Sequence, residues 1–249
     1  MKAYSPVPLL GVPFLPLTRK EFLARLAHLA MRGHAARVFT PNPEILLAAD
    51  RDPEFRKRLC SADLLLPDGI GVLLGARICG KALPERVAGI DAGEFLLALA
   101  ARKGLRVFLL GGKKGVAEEA AHALCERFPD LILCGTHHGF FDKAMNSSEN
   151  RAVLSKLQTA EPDLLFVCFG APAQEKWICE NAPTLPSLRL SMGLGGALDV
   201  WSGRVRRAPK IFRQCGLEWL WRALREPKRF ARLGAIPKFL WTVKRQSSS

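Results

Sequence analysis

The sequence predicts a Rossmann-like α/β fold: a mostly parallel sheet with helices on both faces. Three observations predict it. Short apolar runs recur along the chain, at 38–40, 64–66, 105–110, 131–134, 163–169 and 188–192, and glycine, proline or asparagine stops most of them. Segments with apolar residues at helical spacing separate the runs. Each intervening segment is long enough for a crossover, so five or six strands alternating with helices give a largely parallel sheet.

Length and composition set the bounds. At 249 residues with 49% apolar content, the chain can bury a sizeable core as one large domain or as one domain plus an appendage. No uninterrupted apolar run approaches the ~18 residues of a membrane span. The first sixteen residues carry Pro6, Pro8, Pro13 and Pro16 and do not read as a signal peptide. Seven scattered cysteines without a Cys-x-x-Cys pair argue against a zinc site or a disulfide scaffold. The net charge of +14 is uneven. Residues 204–249 hold thirteen Lys or Arg against Glu218 and Glu226, giving +11, which leaves +3 for residues 1–203. A nearly neutral body with a strongly basic end points to an anionic partner for that end. The composition change at Gly203 divides the chain into an α/β core, 1–203, and an appendage, 204–249.

Taken in order, Leu9 to Leu17 reads as an edge strand or hairpin. Thr18 and Glu21 form a capping box ahead of a helix bearing Phe22, Leu26 and Leu29. The strand ending at Thr40 is broken by Pro41-Asn42-Pro43, and a helix follows. Asn42 either caps that helix or joins Thr40 in the floor of a site. A helix over 52–60 leads to Leu64-Leu65-Leu66-Pro67-Asp68-Gly69. Here Pro67 and Gly69 stop a buried strand and leave Asp68 at its carboxyl end, the edge where open α/β sheets bind ligands. Asp68 either caps the next helix, 70–78, or does chemistry at that edge.

A loop with Glu85 and Arg86 precedes a helix beginning at Asp91. The strand 105–110 runs into Gly111-Gly112-Lys113-Lys114-Gly115 and a helix over 116–127. That layout suits a phosphate loop, although it is neither a Walker A motif nor GxGxxG. His137 and His138 are adjacent on a strand and have no ligand partners at metal spacing, so no metal is expected there. The strand 163–169 turns through Gly170-Ala171-Pro172 into a helix whose first turn holds Gln174 and Glu175. The last strand ends in Gly193-Leu194-Gly195-Gly196, and Asp199 starts another helix. In the appendage, helices are expected over 216–226 and from Pro227, with Trp219, Trp221 and Trp241 on apolar faces and arginines three and four apart. Basic, tryptophan-rich segments of this kind lie in membrane interfaces or form a helical pair packed on the core with a solvated basic face; tryptophan and arginine together favour the membrane.

Several motifs together resemble one family. Thr40-Pro-Asn-Pro-Glu44, Pro67-Asp68-Gly69, Glu85-Arg86-Val-Ala-Gly-Ile-Asp91, Leu110-Gly-Gly-Lys113, Gly170-Ala-Pro-Ala-Gln-Glu175 and Arg207-Ala-Pro-Lys210 through Trp219 are similar to the WecG/TagA/CpsF glycosyltransferases, in that family's order. One departure is Ala173, where the family often has lysine. The resemblance implies an inverting transferase at the cytoplasmic face of the membrane. It would move N-acetylmannosamine or a related sugar from a UDP-sugar to polyprenyl-diphosphate-linked N-acetylglucosamine, in teichoic acid, common antigen or exopolysaccharide synthesis, without a metal.

It also implies roles. Asp68 would be the base, with Thr40 and Asn42 orienting a substrate. Gln174 would contact the donor, and Glu175, Arg86, Asp91, Gly111 and Gly112 would line the substrate site. Arg222, Arg229 and Arg232 would complete the site from the appendage. Two other classes are weighed against this. A nucleotide-binding module with a nucleic-acid-binding tail lacks a recognised nucleic-acid motif. A nicotinamide enzyme would want GxGxxG.

Overall fold

The computed structural model describes residues 4–32, 34–209, 211–212, 218, 220–221 and 234–247. Its centre is a six-stranded, all-parallel sheet. The strands are β3 (Ala36–Phe39), β4 (Leu64–Leu65), β5 (Arg106–Gly111), β6 (Ile132–His137), β7 (Leu164–Cys168) and β8 (Leu190–Gly193), in the order β4-β3-β8-β7-β5-β6. The central strands β7 and β8 are buried along their whole length, as expected for a parallel sheet covered on both faces. A separate hairpin, β1 (Val7–Leu9) and β2 (Val12–Phe14), turns at Leu10-Gly11, so the hairpin reading holds.

Two apolar layers sandwich the sheet. One is built from α1 (Arg19–Met31), α5 (Gly89–Lys103), α6 (Val116–Arg127) and α9 (Ala197–Trp201). The other holds the hairpin, α2 (Pro43–Arg51), α3 (Pro53–Cys60), α4 (Ile70–Ile78), α7 (Ser148–Ala160), α8 (Ala173–Asn181) and α10 (Ala235–Ser247). The chain therefore leaves β3 toward one face and the neighbouring β8 toward the other. A crevice opens between such strand ends.

Local chemistry explains most boundaries. The Thr18–Glu21 capping box is present at α1. Asn42 and Asp52 cap α2 and α3, each followed by proline at a first-turn position. Two strands differ from expectation. β4 pairs over only Leu64 and Leu65. The Leu66 N–H still donates to the Phe39 carbonyl, but Pro67 has no donor to continue the ladder. β6 runs three residues past Cys134, because Gly135 leaves space for the Phe108 ring: a Cβ there would lie 2.5 Å from it.

α10 belongs to the body of the molecule. Its Phe239 and Val243 are buried in the second layer against α4 and α2. Most of the expected helix 216–226, the start of the one from Pro227, and Arg222, Arg229 and Arg232 lie outside the described residues.

Candidate active site

The sheet register sets the strand ends level. Phe39 pairs with Leu65, Val38 with Met192, Val167 with Gly193, and Cys168 with Gly111. The residues immediately after these positions therefore share one edge of the sheet.

At the β3–β4 corner, three contacts gather Thr40, Asp68 and the segment that carries Arg86. The Asp68 N–H donates to the Pro41 carbonyl at 3.2 Å, and the Val87 N–H donates to the Pro67 carbonyl at 3.0 Å. Gly89 lies so close to Thr40 that a Cβ would sit 3.1 Å from its hydroxyl. Thr40 is buried and its Oγ1 donates to the Gly193 carbonyl at 3.3 Å, which bridges β3 to β8. Asp68 and Arg86 are half-buried. Gly69, at φ 94°, occupies the N-cap of α4, so Asp68 is one residue ahead of the cap position. The Asn42 side chain does cap α2, accepting from the Ile45 N–H at 3.0 Å.

The β7–β8 edge is closed by Gln174, which is 2% exposed. Its Oε1 accepts from the Gly170 N–H at 3.2 Å and the Gly195 N–H at 2.9 Å. Its Nε2 donates to Glu175 Oε1 at 2.9 Å. The Glu175 carboxyl is fully buried, and burial pushes its pKa up, partly offset by the Gln174 hydrogen bond.

The glycine turn after β5 is closely tied to its neighbours. Gly111, at φ 142°, passes so near β7 that a Cβ would lie 2.4 Å from the Cys168 carbonyl oxygen. The Gly112 N–H donates to that same carbonyl at 3.2 Å, and the Gly112 carbonyl accepts from the Gly139 N–H at 2.8 Å. Next to it, burial pushes the Cys168 thiol up to about 12 and keeps it protonated.

Asp91, in the first turn of α5, pairs with Arg207 of the appendage, and Arg207 also lies 3.9 Å from Glu94 and 3.7 Å from Glu218. Thr40, Asp68, Gly111, Gly112, Gln174 and Glu175 thus lie at or after the carboxyl ends of β3, β4, β5 and β7, and Arg86 lies in the loop strapped to them. Asp91 faces the appendage.

Two residues have contacts that the sequence did not indicate: Arg207 stood there only within a motif, and Lys143 only within a loop. Arg207 is one cation among thirteen, and its partner lies 116 positions away. Lys143 lies in a stretch read as loop. Its ammonium sits 4.6 Å from the centres of both the Phe141 and Phe169 rings and donates to the Gly139 carbonyl at 2.5 Å. Burial lowers its pKa, while Asp142 and Glu149 oppose that shift. This pins the loop after β6 over the glycine turn.

A parallel α/β sheet with polar groups gathered at its carboxyl edge is the architecture of an α/β enzyme that binds its ligand at that edge. The model of the glycosyl transferase WecG/TagA/CpsF family matches residues 7–249, and the chain belongs to that family. It is a glycosyltransferase, similar to proteins named N-acetylglucosaminyldiphosphoundecaprenol N-acetyl-beta-D-mannosaminyltransferase. The one from Bacillus spizizenii is 38% identical over 85% of this chain and 80% of the relative. Those from Bacillus subtilis and Staphylococcus aureus are 34% and 33% identical, over 96% and 95% of this chain and 91% of each relative.

Proposed function

We propose that the chain transfers N-acetylmannosamine, or a closely related sugar, from a UDP-sugar to polyprenyl-diphosphate-linked N-acetylglucosamine. The product would feed a cell-surface polysaccharide such as teichoic acid or common antigen. The names of the relatives support the sugar and the lipid-linked acceptor. The observation that carries the reading is the β3–β4 corner. There Pro41–Asp68, Pro67–Val87 and Thr40–Gly89 contacts bring one carboxylate, one hydroxyl and the Arg86 segment to the end of a parallel sheet.

Asp68 is the base. It takes the proton of the acceptor hydroxyl as that oxygen attacks the anomeric carbon and UDP departs on the opposite face. Arg86 and the appendage arginines 222, 229 and 232 meet the charge developing on the diphosphate, so the step needs no metal. The helix starts of α4, α5, α6 and α8 have no side-chain cap, which leaves N–H groups for an anion at the same edge. Thr40 orients a substrate from its place on the Gly193 carbonyl. Gln174 and the two glycines shape the wall that the donor rests on.

No helix among the described residues is long and apolar enough to cross a membrane. The lipid acceptor is instead met at the surface through the appendage, at the inner face of the membrane. The reading of a nucleic-acid-binding tail is not favoured, since the family's match continues through the basic end to residue 249.

The test is UDP release from UDP-N-acetylmannosamine with a short-lipid acetylglucosamine diphosphate acceptor. Asp68→Asn should fall about 100-fold or more, the usual loss for a general base. Equal turnover by variant and parent would remove Asp68 from the chemistry.

A further inference from the structure

Glu175 contributes to the site without lying on its surface. Both carboxylate oxygens are shielded from solvent. Oε1 accepts from Gln174 Nε2 at 2.9 Å, and Oε2 has no hydrogen-bond partner. An orphaned buried oxygen is costly, so whatever retains Glu175 must outweigh it.

The neighbouring amide supplies that function. Gln174 Oε1 receives two backbone N–H groups, from Gly170 after β7 and Gly195 after β8, and so spans the two loops as a clamp. An amide can be flipped end for end. Glu175 Oε1 takes the NH2 end and the two glycine N–H groups take the carbonyl end, so both sets of partners hold the same orientation. From the other side, Gly193 leaves room for the amide: a Cβ there would meet Gln174 Nε2 at 3.0 Å and Cδ at 3.2 Å. The Gly193 carbonyl in turn receives the Thr40 hydroxyl. A continuous path therefore runs from Glu175 through Gln174 and the β8 end to Thr40.

We infer that Glu175 is a positioning residue: by fixing the Gln174 amide it locks the loops after β7 and β8 and so sets the place of Thr40 at the candidate active site. The inference rests on the transferase reading for its effect on turnover, but the clamp itself can be measured without any substrate.

Hydrogen–deuterium exchange and turnover are to be compared in Glu175→Leu, Gly193→Ala and Glu175→Gln. Leucine removes the acceptor, alanine at 193 crowds the amide, and glutamine keeps an acceptor oxygen. In the first two, exchange at Gly170 and Gly195 should rise about tenfold or more, as expected when hydrogen bonds of this kind open, with β5 and α5 unchanged. Turnover should drop by a similar factor, and Glu175→Gln should stay within about threefold of the parent on both measures. Parental exchange at both glycines in Glu175→Leu would overturn the clamp. So would loss in Glu175→Gln as deep as in the leucine variant, or a rise spread evenly over the sheet. If Glu175→Leu does not fold, Gly193→Ala and Glu175→Gln decide the matter. If the parent shows no turnover with the sugars tried, the transferase reading fails while the exchange result still decides the clamp.

Discussion

Burying the Glu175 carboxyl beside Gln174 gives the chain a pH dependence that a surface glutamate would not. Its pKa in the folded state is raised by burial, so between the ordinary carboxylate range and the raised value the native state binds more protons than the unfolded one. Stability from this group is complete below the ordinary range and is lost as pH rises through the raised value. Glu175→Gln removes the titration. Its stability relative to the parent should therefore increase from pH 4 to pH 8, with at most the slope of one proton, in urea unfolding at stepped pH. A difference that stays flat would mean that the carboxyl is no harder to ionise than in the unfolded chain. Thr40 makes a second single-residue prediction. Thr40→Val keeps the shape but strands the Gly193 carbonyl, which should lower stability by about 1 kcal/mol, whereas Thr40→Ser should restore most of it.

Between elements, α10 fits closely on α4. Gly71 and Gly75 lie four apart and so share one face of α4. A Cβ on Gly75 would stand 2.6 Å from the Phe239 ring, and one on Gly71 would stand 2.5 Å from Pro43 and 3.5 Å from Ile236. These two glycines let α10 seat against the helix that follows Asp68. Gly75→Ala should cost about 1–3 kcal/mol by overpacking, and adding Phe239→Leu should return part of that loss. Strictly additive costs in thermal unfolding would show that the helices do not meet through this pair.

The same contact marks the limit of what sequence can convey. The capping box at Thr18, the Asn42 and Asp52 caps, and the apolar runs of β5, β7 and β8 are local signals, and each element formed where its signal stood. The glycines of α4 were visible too, but Phe239 lies more than 160 residues away and nothing in the pattern joins them. The site divides in the same manner. The positions of Thr40, Asp68 and Gln174 at the sheet edge were legible because an apolar run ends abruptly ahead of each. That Gln174 is turned inward, and that Asp91 pairs with Arg207, depends on long-range packing.

At the scale of the whole molecule, the last helix presents three of the appendage's thirteen cations, Lys238, Lys244 and Arg245. α10 buries Phe239, Thr242 and Val243 and turns Lys238, Trp241, Lys244 and Arg245 outward. Trp241 is 61% exposed, with the Arg245 guanidinium 5.2 Å from its ring. An exposed tryptophan beside cations suits the headgroup layer of an anionic bilayer. There each cation near the surface contributes about 1 kcal/mol at low salt, and the indole adds an apolar anchor. Lys238→Glu combined with Lys244→Glu should therefore weaken binding to phosphatidylglycerol vesicles by well over tenfold and reduce its salt dependence. Trp241→Ala should weaken binding while keeping the salt dependence, because it removes the anchor and not the charge. Because this face lies away from the α4 contact, turnover of a short-lipid acceptor in solution should be unchanged in both variants. Turnover of a vesicle-borne acceptor should fall in parallel with binding. Equal binding of parent and double variant to phosphatidylglycerol vesicles would exclude α10 as the contacting surface.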